Sequence, residues 1–210
     1  MAKVFFSVTM SLDGFIAPEM MKMGVPVEQW LPQWMELQKY VFEQRFFREN
    51  LNLGEGGETG EDNRLLEETY KRTGVSIMGK RMFDGGEQAW PEEAPFHTPV
   101  FVLTKQVRSP WERPGGTTFH FVNDGIERAL LRARNEAGDR DIRIAGGADV
   151  IIQYLNAGLV DEFAIALSPV LLGTGRRLFD GIDASRVSLD PMEAISSPMV
   201  THLRYAVRRR

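Results

Sequence analysis

The chain has 210 residues, 43% of them hydrophobic and 26% charged, with a formal net charge of −4; this is globular composition with ample material for a core, and its balance speaks against a general nucleic-acid binder. There is no cysteine, and the three histidines, His97, His120 and His202, are too scattered for a metal motif, so disulfides, thiolate nucleophiles and cysteine-ligated zinc are excluded. No apolar run is long enough to span a membrane, so a cytoplasmic location without membrane association is expected.

In chain order, the first apolar run (residues 4–10) predicts a strand rather than a signal peptide, because it is short and Asp13 soon follows. Residues 20–60 break the pattern. Met20, Met21 and Met23 open this region, six aromatics from Trp30 to Phe47 follow, and a glycine-rich run at 54–60 closes it. Residues 27–48 predict one or two amphipathic helices. Two readings stand for the aromatics: packing surface, or a lid or wall over a substrate pocket. A helix is predicted over 63–72, capped by Asp62 or Asn63, then a strand at 75–78. Strands follow at 100–104 and 117–122, and a helix at 125–137, opened by Asn123-Asp124 and closed by Gly138. A strand at 142–145 leads into a helix at 149–156 that Gly158 ends. This alternation predicts one α/β domain over 1–210 with a mostly parallel sheet and an aromatic-rich insertion. The strands at 162–167 and 200–207 have no clear helix between them, which predicts an antiparallel finish. Arg208-Arg209-Arg210 reads as a solvated chain end.

Three turns share a design that suits anions. Gly79 lets a backbone approach, and Lys80 and Arg81 place positive charge at a helix start, where it opposes the helix dipole unless an anion binds. Thr104 and Lys105, with Arg108 beyond, stand at the C-terminal end of a strand, where open α/β sheets bind ligands. Ala145-Gly146-Gly147-Ala148-Asp149 joins a strand to a helix, with amide N–H groups available and Asp149 as the expected cap. Each turn alone reads equally well as an ordinary surface turn. The GxGxxG fingerprint and the Walker A sequence are both absent from a strand–helix setting.

Four segments in order carry a resemblance: Ser11-Leu12-Asp13-Gly14-Phe15-Ile16-Ala17, Met78-Gly79-Lys80-Arg81-Met82-Phe83, Ile144-Ala145-Gly146-Gly147-Ala148-Asp149, and Leu167-Ser168-Pro169-Val170-Leu171-Leu172-Gly173-Thr174-Gly175. The chain resembles the dihydrofolate reductase superfamily, and within it the reductase branch of riboflavin biosynthesis. That resemblance implies a three-layer fold with helices on both faces of the sheet, an antiparallel C-terminal strand, and NADPH as hydride donor to a small heterocyclic or carbonyl substrate. It implies that Thr9 and Ile16 meet the nicotinamide by main chain. Gly79, Lys80, Arg81, Thr104 and Lys105 would surround the pyrophosphate and 2′-phosphate. Gly146, Gly147, Ala148, Asp149 and Val150 would close over the pyrophosphate. Asp13 is the candidate proton donor, with Ser11 or water as substitutes. Trp90 and Phe83 are candidate walls of the site, core packing being the alternative for Phe83. A homodimer through the sheet edge or C-terminal strands is also implied.

Two departures stand out, one at the cofactor and one at the substrate. Met82 replaces a hydroxyl residue that often contacts a cofactor phosphate. In Trp30-Leu31-Pro32-Gln33-Trp34, Trp34 stands where dihydrofolate reductases carry the pterin-binding carboxylate, and Glu36 lies further along, which speaks against dihydrofolate. A zinc-dependent deaminase half is absent. Two other classes remain open: an NADPH-binding sensor or structural dimer without activity, and a flavin-utilising oxidoreductase.

Overall fold

Alternation along the first strand sets the layers. In β1 (Val4–Ser11), Val4, Phe6, Val8 and Met10 join the main core on one face, and Phe5, Ser7, Thr9 and Ser11 turn to the other. The computed structural model describes residues 2–21 and 24–209. The elements that follow are β2 (Phe15–Ala17), α1 (Leu31–Leu37), α2 (Lys39–Glu43), α3 (Arg45–Asn50), α4 (Glu61–Arg72), β3 (Thr73–Gly79) and α5 (Lys80–Ala89). Then come β4 (Pro99–Leu103), β5 (Trp111–Glu112), β6 (Thr118–Val122), α6 (Ile126–Glu136), β7 (Asp141–Gly146), α7 (Ala148–Asn156), β8 (Glu162–Ser168), β9 (Arg176–Arg177), β10 (Val187–Ser196) and β11 (Thr201–Arg209).

Nine strands form one sheet in the order β10-β11-β8-β1-β7-β3-β4-β6-β5. The central pairs from β8 to β6 are parallel, while β5, β10 and β11 pair antiparallel. The expected mostly parallel α/β sheet with an antiparallel finish is therefore present. Leu130 and Ala133 of α6 and Ile151 and Leu155 of α7 bury against Val75, Ile77, Ile142 and Ile144 on one face. The opposite face carries α5 over Met78, Val100 and Val102, and the helical insertion beside it.

Several expectations need correction. Residues 27–48 form three short helices and a 3-10 turn (Val27–Gln29), not one or two helices. Helix α4 begins at Glu61 after Gly60; Asp62 and Asn63 are not its caps. Their side chains reach outward instead: Asp62 Oδ1 pairs with His202 Nε2 at 2.5 Å, and Asn63 Oδ1 accepts from the Phe46 N–H at 2.7 Å. Strand β10 escaped notice because it is a mostly exposed edge with a bulge at Pro191, where a missing N–H is tolerated. The basic terminus is solvated as expected, but Arg208 and Arg209 belong to β11: Arg208 pairs with Asp190, and Arg209 donates to the carbonyl of Gly158 at 2.7 Å. Met23 and Arg210 lie outside the described residues.

At the N-terminal end of the parallel strands, charge replaces apolar packing. Arg72 donates to Asp141 at 2.6 Å and to Glu162 at 2.7 Å, and Lys3 reaches Glu162 at 2.6 Å. Burial pushes the Glu162 carboxyl up, but the bonds from Lys3 and Arg72 outweigh it and hold the group below its usual range.

Candidate functional site

At the C-terminal end of the sheet, β3 and β7 each stop on a glycine and start a helix. Gly147 is the residue before α7, with φ +87°, a conformation that side chains disfavour. A Cβ on Gly147 would stand 3.5 Å from the Gly79 backbone, and one on Gly79 would stand 3.0 Å from a methyl of Val150. A side chain on Gly146 would meet Met82 Sδ at 2.7 Å. So the glycines serve two ends: they let the two turns nearly touch, and they leave the first N–H groups of α5 and α7 bare. Asp149 does not cap α7; its carboxylate pairs with Arg176 and lies 3.9 Å from Arg81. Lys80 pairs with Asp84 one turn along α5. The cations at this end are thus held by carboxylates, with one positive charge in excess across these five groups.

A cleft of about 940 Å³ opens from these turns. That suits a dinucleotide with a small second molecule. Gly79, Lys80, Arg81, Gly146, Gly147, Ala148, Asp149 and Val150 line one half, and Thr9 and Ile16 lie between the halves. The structure therefore brings together ten of the residues expected there. Thr104 and Lys105 follow Leu103, which lines the cleft, but stand beyond the lining themselves; Thr104 Oγ1 accepts from the Gln106 N–H at 3.0 Å.

The insertion roofs the other half. Trp34, Gln38, Tyr40 and Phe42 line it, together with Tyr70 of α4 and Arg143 of β7. Thr9 donates to Gln38 at 2.7 Å and so ties β1 to the roof. Burial pushes the Tyr40 hydroxyl up to about 12, so it is protonated well beyond neutral pH. The aromatics are thus both wall and packing: Tyr40 and Val41 also pack on Ala166 and Val200. Trp90 and Phe83 do not wall this cleft. They belong to an aromatic cluster with Phe119 on the far side of α5. Sequence reasoning passed over Arg143, Arg176 and Tyr70, since no local motif marks them.

Asp13, expected as the proton donor, is not among the residues lining the cleft, and its carboxylate accepts three hydrogen bonds. Ser11 Oγ donates to it at 2.6 Å, and the N–H groups of Gly173 and Leu172 donate at 2.8 and 3.2 Å. These bonds fold the Leu167–Gly175 motif onto the first one, aided by β2 pairing with β9. The Ser11 hydroxyl lowers the Asp13 carboxyl to about 2, with the two N–H groups adding to it and desolvation opposing. A carboxylate so held has no proton to give near neutrality, and Ser11, fully buried, is committed to Asp13 and Phe15. The folded value lies below the usual 3.8, so the stability from Asp13 is complete above that and is lost as pH falls through about 2. Asp13→Asn is expected to lower the melting temperature at pH 7 and to flatten its fall between pH 4 and 2; an unchanged acid limb would contradict this role.

A large cleft over the carboxyl ends of parallel strands, between two touching glycine turns and a helical roof, places the protein in the dihydrofolate reductase-like fold class. The chain belongs to the RibD C-terminal domain family, which it matches over residues 2–201. It is similar to the uncharacterized protein YyaP of Bacillus subtilis, with 42% identity over 59 residues, 28% of this chain and 31% of that one. The chain thus aligns with about a third of the length of this curated relative. Among solved structures, a provisionally named riboflavin biosynthesis protein from Shewanella sp. PV-4 shares the fold at a TM-score of 0.65, with 22% identity and full coverage of both chains. Dihydrofolate reductase from Enterococcus faecalis, complexed with NADP(H), shares it at a TM-score of 0.52 and 14% identity, covering 99% and 96% of the two chains. No helix among the described residues is long and apolar enough to cross a membrane, and no group of potential metal ligands occurs among them.

Proposed function

We propose that this protein is an NADPH-dependent reductase that transfers hydride to a small heterocyclic or carbonyl substrate. The observation that carries the reading is the contact between the Gly79 and Gly147 turns, which sets two helix N-termini side by side at one end of a two-part cleft. The residues fit the dinucleotide. A Cβ would fill the cradle, and Arg176 Nε at its wall is buried with no hydrogen-bond partner. Membership of the reductase family and the NADP(H) complex of the Enterococcus enzyme support the same cofactor.

On this reading the α5 and α7 N-termini hold the pyrophosphate, and Arg81, Lys80 and Arg176 hold the 2′-phosphate side. When bound, NADPH supplies the hydride. Thr9 and Ile16 position the nicotinamide by main chain, and the roof from Trp34 to Phe42 excludes water from the face above. The protonated Tyr40 hydroxyl is placed to donate a hydrogen bond to a carbonyl or ring nitrogen rather than to act as a base. The reading extends to a homodimer, for which the exposed β10 edge with Leu189 and Met192 is the proposed surface.

Fluorescence titration tests the cofactor. NADPH is expected to bind at least tenfold tighter than NADH, and Lys80→Ala with Arg81→Ala is expected to erase that preference. Equal, weak binding of both dinucleotides would remove this reading. Tight NADPH binding without oxidation across a metabolite screen would favour the non-enzymatic sensor.

A further inference from the structure

Two arginines reach the same face of the sheet, and they are treated differently. Arg72 has two carboxylates, Asp141 and Glu162. Arg143, two residues along β7 from Asp141, pairs with none among the described residues. Its Nη2 makes one long hydrogen bond, 3.4 Å to the Ser7 carbonyl, and its Nε is buried with no partner. The guanidinium is held over the Tyr70 ring, 5.3 Å from the centroid. Stacking on an aromatic fixes the plane of such a group and leaves its N–H edge for an oxyanion. A cation this poorly bonded and only partly exposed is costly to the fold unless something else completes it. Arg143 lines the roofed half of the cleft, away from the glycine turns, so its partner enters from that half. Trp34, Phe42 and Tyr40 line the cleft with it; the carboxylates of the lining are Glu19, Asp84 and Asp149, and the last two are paired with Lys80 and Arg176.

We infer that Arg143 is a specificity-determining residue for the second ligand: the roofed half takes a planar ring that carries a carboxylate or phosphate, with the ring against Trp34 and Phe42 and the anion on Arg143. This rests on the reductase reading for the ligand's role as substrate, though not for its binding. The Arg81–Arg176 end is separate, because its cations already face Asp149 and Asp84.

The test uses the full chain and three matched probes: 2-naphthoate, 2-naphthyl phosphate and uncharged 2-naphthamide, followed by quenching of tryptophan fluorescence. At least one anion is expected to bind tenfold or more tighter than the amide, with and without saturating NADPH, and the stronger anion identifies the group. Arg143→Met is expected to abolish that preference while leaving naphthamide and NADPH affinities within twofold; Arg143→Lys is expected to keep part of it. Arg81→Ala is expected to leave it intact. No preference in the wild-type chain overturns the inference even if Arg143→Met fails to fold, and so does a preference that survives in Arg143→Met or vanishes in Arg81→Ala. Anion preference without any NADPH binding would keep this site and remove the reductase reading instead.

Discussion

Gly147→Val is expected to lower NADPH affinity at least a hundredfold while the chain still folds. The residue sits at φ +87° immediately before α7, where a β-branched side chain is a severe outlier. Strain of this kind costs on the order of 1–3 kcal/mol if it is kept. If it is relieved, the turn rotates and the α7 N–H groups leave their aim. The branched methyls also extend beyond a Cβ that already stands 3.5 Å from Gly79, so the two turns are driven apart. Both effects fall on the place where the dinucleotide phosphates are proposed to sit, and each 1.4 kcal/mol is about a factor of ten. Gly138→Ala is the matched control: its φ is +60°, but nothing lies within 4 Å of the added carbon. It is expected to cost about 1 kcal/mol of stability and to leave NADPH binding unchanged. Wild-type affinity in a folded Gly147→Val chain would show that this turn is no part of the cofactor site.

The second large effect concerns stability. Arg72→Met is expected to destabilise the protein by about 2–3 kcal/mol, read from urea denaturation at pH 7. The Glu162 side chain is only 8% exposed, and Arg72 and Lys3 are the cations that bond to it directly. Removing Arg72 leaves a nearly buried carboxylate with Lys3 and the more distant Arg204, 3.7 Å away, and also removes the guanidinium from over the Phe5 ring, 4.1 Å from its centroid. The expected cost is below that of a fully buried pair because Arg72 is itself about a quarter exposed. Adding Glu162→Gln should recover part of the loss, since of the two carboxylates that Arg72 serves only the more exposed Asp141 is then left short of it. The folded Glu162 titrates below its usual value, so this contribution is complete above that value and fades as the solution is acidified. A loss under 0.5 kcal/mol, or one that grows on acidification, would contradict the network's role.

The local patterns carried most of the sheet. The run Val100-Phe101-Val102-Leu103 is legible because a strand buried on both faces is apolar throughout, and the helix with Leu130 and Ala133 because burial on one face imposes a helical period. The edge strand β10 was not, because an exposed strand with Pro191 has no apolar alternation to display. Cap assignments failed for a related reason: Asp62, Asn63 and Asp149 have side chains suited to capping, but His202, Phe46 and Arg176 supplied partners from distant parts of the chain.

The candidate site divides along the same line. Gly79, Gly146 and Gly147 could be read locally as turn glycines between strand and helix, and as a phosphate site only when taken together and in order. Asp13 was marked as a site residue by its motif, yet its task depends on Gly173, some 160 residues away. Arg143 and Tyr70 gave no local signal at all.

By itself, then, the sequence determined most of the strands of the parallel sheet, the helices between them and the glycine turns, because backbone geometry and burial period act over a few neighbouring residues. Only the tertiary structure decided which charges are spent on one another and which is left for a ligand. Arg72 and Arg143 are the same residue type on one face of one sheet. Asp141 and Glu162 reach the first and not the second, because pairing depends on ångström distances that sequence spacing does not encode.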